Sequence, residues 1–278
     1  MGRLLSAVIV CLGFGAFFSV AHADHSWTDS SGRPYHWART ANPLTLKLGD
    51  NVSAAWDGYL NDAVSDWHQS TVLDITEVAG GTRPKPCKPT AGRVEVCNAQ
   101  YGNNGWLGIA QIWISVDHIT QAITKTNDTY FSTGKYNTPA WRQFVMCQEI
   151  GHTFGLDHQD EDFSNTNLGS CMDYTSDPGG EKLGSSNMKP NPHDFEQLAI
   201  IYKHTDSTTS ASQASPRDAA PPAMNDIDFE GPGQWGKLVR STHGGRLQRY
   251  ELDFGGGHKI FTFVIWADEE DRGRGKPR

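Results

Sequence analysis

The chain has 278 residues, with 32 Asp and Glu against 24 Lys and Arg, a formal net charge of −8. That balance excludes nucleic acid and anionic membrane surfaces as partners, because both select basic patches. The length suits one sizeable domain with a smaller addition.

Residues 1–23 read as a secretory leader. Arg3 precedes the apolar run Leu4 to Val20, and Ala21-His22-Ala23 has the small-x-small form of a cleavage site. No later segment is long and apolar enough to span a bilayer, so the expected location is extracellular or periplasmic, without a membrane anchor. Beyond the leader stand Cys87, Cys97, Cys147 and Cys171, which an oxidising compartment would pair. Three pairings exist. Proximity favours Cys87 with Cys97, closing a Pro-rich loop, and then Cys147 with Cys171.

After an irregular aromatic opening, Leu44 to Leu48 alternates like a half-buried strand. Asp50 and Asn51 stand where a helix cap would, ahead of a stripe formed by Val52, Trp56, Tyr59, Leu60, Ala63, Val64 and Trp67. Leu73 to Val78 predicts a second strand and Arg93 to Cys97 a short third, with a Gly- and Pro-rich loop from 80 to 89 between them. Leu107 to Val116 is the longest β-like run. A polar stretch, Thr124 to Asn137, separates it from a helix with clear ends: Thr138 to cap it, Pro139 in its first turn and Gly155 to end it. Asn191-Pro192 starts a last helix, with Phe195, Leu198, Ala199 and Tyr202 on one face. Residues 205–222, rich in Ser, Thr, Ala and Pro, read as a flexible linker. Within 223–278, three strands are expected at Lys237 to Val239, Leu247 to Phe254 and Lys259 to Ile265, followed by a charged, disordered tail. About 50 residues make a marginal fold alone, so this small β-rich segment is expected to dock on the main domain.

The chemistry concentrates in Cys147-Gln148-Glu149-Ile150-Gly151-His152-Thr153-Phe154-Gly155-Leu156-Asp157-His158. Residues four apart share a helical face, so Gln148 and His152 point the same way. Glu149 sits one position round, and Gly155 allows a sharp turn that returns His158 toward them. Downstream lies Ser170-Cys171-Met172-Asp173-Tyr174.

These two stretches resemble the metzincin zinc metalloproteases, whose motif is His-Glu-x-x-His-x-x-Gly-x-x-His followed by a methionine turn. Glu149, His152, Gly155 and His158 match; Gln148 stands where the first histidine belongs. The Gly-Leu-Asp-His at 155–158 and the last helix look most like the matrixin branch. The resemblance runs through most of residues 40–204 in element order and implies an α+β domain at 24–204: a twisted mixed sheet with an antiparallel edge strand, an active-site helix and a C-terminal helix. It implies one catalytic zinc on His152, His158 and Gln148, with Met172 beneath it. It also implies Glu149 as general base and Tyr174 as an oxyanion donor or further ligand, as in astacin-like and serralysin-like members. Leu107 to Val116 would be the edge on which a protein or peptide substrate lies as an extended strand. A cysteine-bearing inhibitory propeptide is not expected, since the first strand follows the leader closely.

Gln148 leaves two functions open. The first is a secreted zinc endopeptidase with a weakened ligand set, an amide oxygen being a poorer zinc ligand than imidazole. The second is a non-catalytic relative that binds a protein or glycan through the cleft or the C-terminal strands. Lesser signals are His118, a lone candidate for a structural metal of the kind matrixins carry elsewhere on their sheet, and the acidic loop Asp157, Asp160, Glu161, Asp162. The loop offers calcium-type oxygen ligands, although a solvated charge run is the plainer reading. Asn51 and Asn127 fit the glycosylation pattern.

Overall fold

The computed structural model describes residues 25–132, 134–211, 221–224, 231–242 and 245–272. The leader at 1–23, the linker from 212 to 220 and the tail from 273 lie outside them. The described strands form one mixed sheet in the order β3-β2-β4-β6-β5-β9-β8-β7, with the two-residue β1 (His36–Trp37) also pairing β6. β2 (Leu44–Asn51), β3 (Leu73–Ala79), β4 (Val94–Ala99) and β6 (His118–Asn127) run parallel to their partners. β5 (Trp106–Ser115) is antiparallel to β6. The helices α1 (Asp57–Trp67), α3 (Pro139–His152) and α4 (Pro192–Ile201) are longer than a turn, whereas α2 (Asp128–Phe131) and α5 (Glu269–Arg272) are single turns. The result is an α+β architecture.

β5 is antiparallel, as expected, but it is not an edge. β9 (His258–Trp266) pairs along its other side, from Trp106 opposite Trp266 to Ser115 opposite His258. β8 (Leu247–Asp253) and β7 (Lys237–Thr242) follow in turn. The C-terminal strands therefore extend the main sheet. The physical reason is the apolar alternation of both strands, which gives β9 two faces to bury. Phe261, Phe263 and Ile265 join the large core beneath α1 and α3. Ile260, Val264 and Trp266 join a second cluster on the opposite face, with Trp106, Ile109, Trp113 and Trp235. Burying each such side chain contributes roughly 1.5–3 kcal/mol.

Several expectations need correction. β6 was not expected: its first six residues, 118–123, carry no strand expectation above, and its last four fall in the polar stretch Thr124 to Asn137. Gln121, Thr124, Lys125, Thr126 and Asn127 are all buried, because strands on both sides satisfy the backbone and leave these side chains inside. α1 begins after Trp56, later than its stripe suggested. Asp50 accepts instead from the Val52 N–H at 2.9 Å, and the Asn51 amide donates to Glu95 at 2.7 Å. Asn51 and Asn127 are buried with their amides in use, which leaves no room for a glycan. The front of the linker is docked: the Ser210 hydroxyl donates to the Ile119 carbonyl at 2.6 Å and accepts from the Ala38 N–H at 2.9 Å. Part of the tail is ordered as α5, where the Arg272 guanidinium lies over Trp266. No helix among the described residues is long and apolar enough to cross a membrane. Disulfides join Cys87 to Cys97 and Cys147 to Cys171.

Candidate metal centre

α3 starts where its cap residues stand. The Thr138 side chain accepts from the Trp141 N–H at 3.2 Å, and Pro139 occupies the first turn, where its missing N–H costs nothing. From Gln143 onward every residue of the helix is buried. It ends at His152, and the chain reverses through Gly155, whose φ of +104° lies in the left-handed region. A Cβ there would also sit 2.6 Å from the Tyr35 carbonyl oxygen. The N-terminal segment braces this turn: the His25 carbonyl accepts from Asp157 N–H at 2.7 Å, and Trp37 Nε1 donates to the Thr153 carbonyl at 2.8 Å.

The reversal brings His158 Nε2 to 2.9 Å from His152 Nε2, and the Tyr174 hydroxyl to 2.9 Å from the same His158 nitrogen. Met172 lies under the helix. A Cβ on Gly151 would stand 2.5 Å from Met172 Sδ and 2.7 Å from the Trp67 ring. The methionine turn is held by the Ser170 hydroxyl, which accepts from Met172 N–H at 2.8 Å and donates to Asp194 at 2.6 Å. The Cys147–Cys171 disulfide ties helix to turn, and Gln148 Nε2 donates to the Cys171 carbonyl at 2.9 Å. Gly151→Ala tests this packing. Alanine normally favours a helix over glycine by about 1 kcal/mol, but overpacking against a buried indole costs about 1–3 kcal/mol. The expected result is a lower thermal midpoint; a raised one would mean that Met172 and Trp67 yield freely.

Tautomers follow from the partners. The Leu156 carbonyl, 2.8 Å from His152 Nδ1, only accepts, so Nδ1 bears the proton and Nε2 is bare. Burial, reinforced by His158, pushes His152 down to about 3 and keeps it neutral. His158 Nδ1 faces the carboxylates of Asp157 at 3.3 Å and Glu161 at 3.5 Å. That orients its proton outward and turns Nε2 toward His152. Two nitrogen acceptors at hydrogen-bond distance need a cation or a proton between them. Around them, Gln148 Oε1 and both Glu149 carboxylate oxygens are buried without a hydrogen-bond partner. Glu149 presses against β5, where a Cβ on Gly108 would lie 2.6 Å from its Oε1. Burial alone raises its carboxyl well above the ordinary range. Tyr174 is likewise raised, first by burial and then by Glu149. A surplus of buried lone pairs, two of them imidazole nitrogens and one an amide oxygen, is a donor set that zinc accepts; His152, His158 and Gln148 could hold it, with Tyr174 beside them.

In the acidic loop, Asp157 and Glu161 are already paired with arginines. Arg240 Nη1 and Arg249 Nη1 each lie 3.1 Å from Asp157 Oδ2, and Arg240 Nη2 lies 2.8 Å from Glu161. Burial acts to raise Asp157, but His158 and the two arginines outweigh it and hold the carboxyl below its usual range. Above the histidines, Phe263 of β9 stacks on His152 with ring centroids 4.3 Å apart and planes 14° from parallel. The gap left beside His158 amounts to ≈ 10 Å³. Sequence reasoning missed Phe263, Arg240 and Arg249 as parts of this site. The alternation of β9 was visible, but the strand it would pair with was not. A much larger cavity lies elsewhere, ≈ 570 Å³ near His36 and His118.

No protein-family model matches the chain, and no curated protein does. Among solved structures, it is similar to high choriolytic enzyme 1, a hatching-enzyme zinc protease from the medaka fish Oryzias latipes. The match has 11% identity over 65% of this chain and 99% of that chain, with a TM-score of 0.34.

Proposed function

We propose that the protein is an exported zinc-dependent endopeptidase held latent by its own C-terminal strands. The observation behind this reading is the convergence of His152, His158 and Tyr174 beside an unpartnered, buried Glu149 carboxylate. His152, His158 and Gln148 would hold the ion. The chemistry it supplies when bound is Lewis acidity, which polarises a carbonyl and lowers the pKa of water. Glu149 would take the proton from the attacking water and pass it to the leaving amine. The Tyr174 hydroxyl would donate to the carbonyl oxygen as charge develops there. The substrate would lie extended along β5, in the place β9 now fills.

One observation favours the second reading, a non-catalytic protein that binds a partner. With both sides of β5 paired, the sheet offers no free edge at the site. The two readings share a metal and differ in chemistry.

Equilibrium zinc titration of the full chain tests the shared part. Gln148→His replaces an amide oxygen with an imidazole and is expected to tighten binding at this site about tenfold or more. His158→Ala is expected to abolish it. If the wild type takes no zinc here and Gln148→His changes nothing, the proposed centre is wrong.

A further inference from the structure

The ≈ 570 Å³ cavity, away from the centre just described, is lined by His36, His118, His204 and Asp206. His118 was read from sequence as a lone histidine; the fold brings three partners to it. His36 comes from the N-terminal strand, and His204 and Asp206 follow α4, so three of the four belong to none of the long strands. Around the Asp206 carboxylate, His118 Nε2 and His204 Nε2 each lie 3.3 Å from Oδ1, and His36 Nε2 lies 3.6 Å from Oδ2. The His36 ring centroid is 4.9 Å from those of both His118 and His204.

His36 decides what this cluster is for. Its side chain is only 7% exposed. Its Nδ1 donates to the Pro34 carbonyl at 3.0 Å, which leaves Nε2 bare. That nitrogen is buried, has no hydrogen-bond partner and faces a carboxylate. A lone pair turned toward a carboxylate needs a positive charge between them. The surroundings are those of a ligand set: a backbone carbonyl orients the imidazole, and the Arg39 N–H donates to Asp206 Oδ2 at 2.9 Å and fixes the carboxylate. Metal bonds of about 2.0–2.1 Å in a tetrahedron place ligand atoms about 3.3 Å apart, close to the three separations found.

We propose that His36, His118, His204 and Asp206 form a second, structural zinc site that clamps the N-terminal strand to the segment after α4. His36, His118 and Asp206 are already gathered within 4.8 Å. His204 lies outside that group, half exposed with Nε2 3.3 Å from Asp206 Oδ1, and would swing inward to close the fourth position. The clamp grips the strand between Tyr35 and Trp37, which brace Gly155 and Thr153 at the end of α3.

The test is zinc stoichiometry on the full chain, stripped with a chelator and reloaded, together with thermal denaturation. His118 and His204 are 31% and 50% exposed, so His118→Ala/His204→Ala leaves the core intact. Wild type is expected to bind two zinc ions, and that double variant one. His152→Ala/His158→Ala is also expected to keep one, and its thermal midpoint should rise with zinc; adding His118→Ala/His204→Ala should abolish both effects. Failure of the first centre would show as wild type binding one ion that His118→Ala/His204→Ala removes, which leaves this site standing. If His152→Ala/His158→Ala binds no zinc, or the His118→Ala/His204→Ala stoichiometry equals that of wild type, the cluster is a histidine–aspartate network without a metal.

Discussion

Glu149→Gln is expected to lower peptide hydrolysis by about 10²–10⁴-fold, the usual contribution of a positioned general base, while zinc content and fold remain unchanged. The substitution keeps the shape of a side chain packed against Gly108, where even one added carbon would approach its Oε1 within 2.6 Å. It removes a buried carboxyl that has no hydrogen-bond partner and whose proton affinity burial raises well above the ordinary carboxylate range. Because residues 148 and 152 share a helical face and 149 does not, the metal set is untouched. The measurement is hydrolysis of a broad peptide library by zinc-loaded protein, with zinc analysis on the same samples. Hydrolysis that survives in Glu149→Gln removes this residue from the mechanism.

The second large effect is activation. Phe263→Ala is expected to raise peptide hydrolysis about 10²–10³-fold, and Arg240→Glu/Arg249→Glu to raise it in the same direction. Truncating a buried phenylalanine costs about 3–5 kcal/mol, and here that cost falls on the closed state, where the ring covers His152. Each 1.4 kcal/mol shifts the open-to-closed ratio tenfold, which sets the expected range. The arginines act by charge: they neutralise Asp157 and Glu161 beside His158, and reversing them sets like charges face to face. Zinc-loaded variants that remain folded yet hydrolyse no peptide at all would favour the non-catalytic reading. Activity equal to that of wild type would leave the strands as sheet structure without a latching role.

How far this was legible in sequence depended on range. α3 could be placed to the residue at its start because Thr138 and Pro139 act within one turn, and the same holds for Asn191 at α4, where a full capping box forms. The grouping of Gln148, Glu149, His152 and His158 follows from helical period and one glycine. β6 was not legible, because its buried Thr, Lys, Gln and Asn side chains carry no apolar alternation. Nor was the partner of β9, since nothing local in 258–266 states that it pairs with 106–115. His36, His204 and Asp206 meet only through the tertiary fold, and no spacing in the chain announces them.

The order in which the chain is made gives the β5–β9 pairing a further meaning. Every side chain of the His152 centre has been synthesised by Tyr174, and the helix that supports it by Ile201, whereas β9 begins only at His258. A chain that emerges from its N-terminus folds earlier segments first, and a contact spanning some 150 residues closes slowly. There is thus an interval in each molecule's history when the histidines are assembled and the covering strands are still to arrive. An ion can enter during that interval without displacing anything; afterwards it must wait for Phe263 to lift. For the zinc centre proposed above, metal acquisition would therefore be a matter of timing as well as affinity.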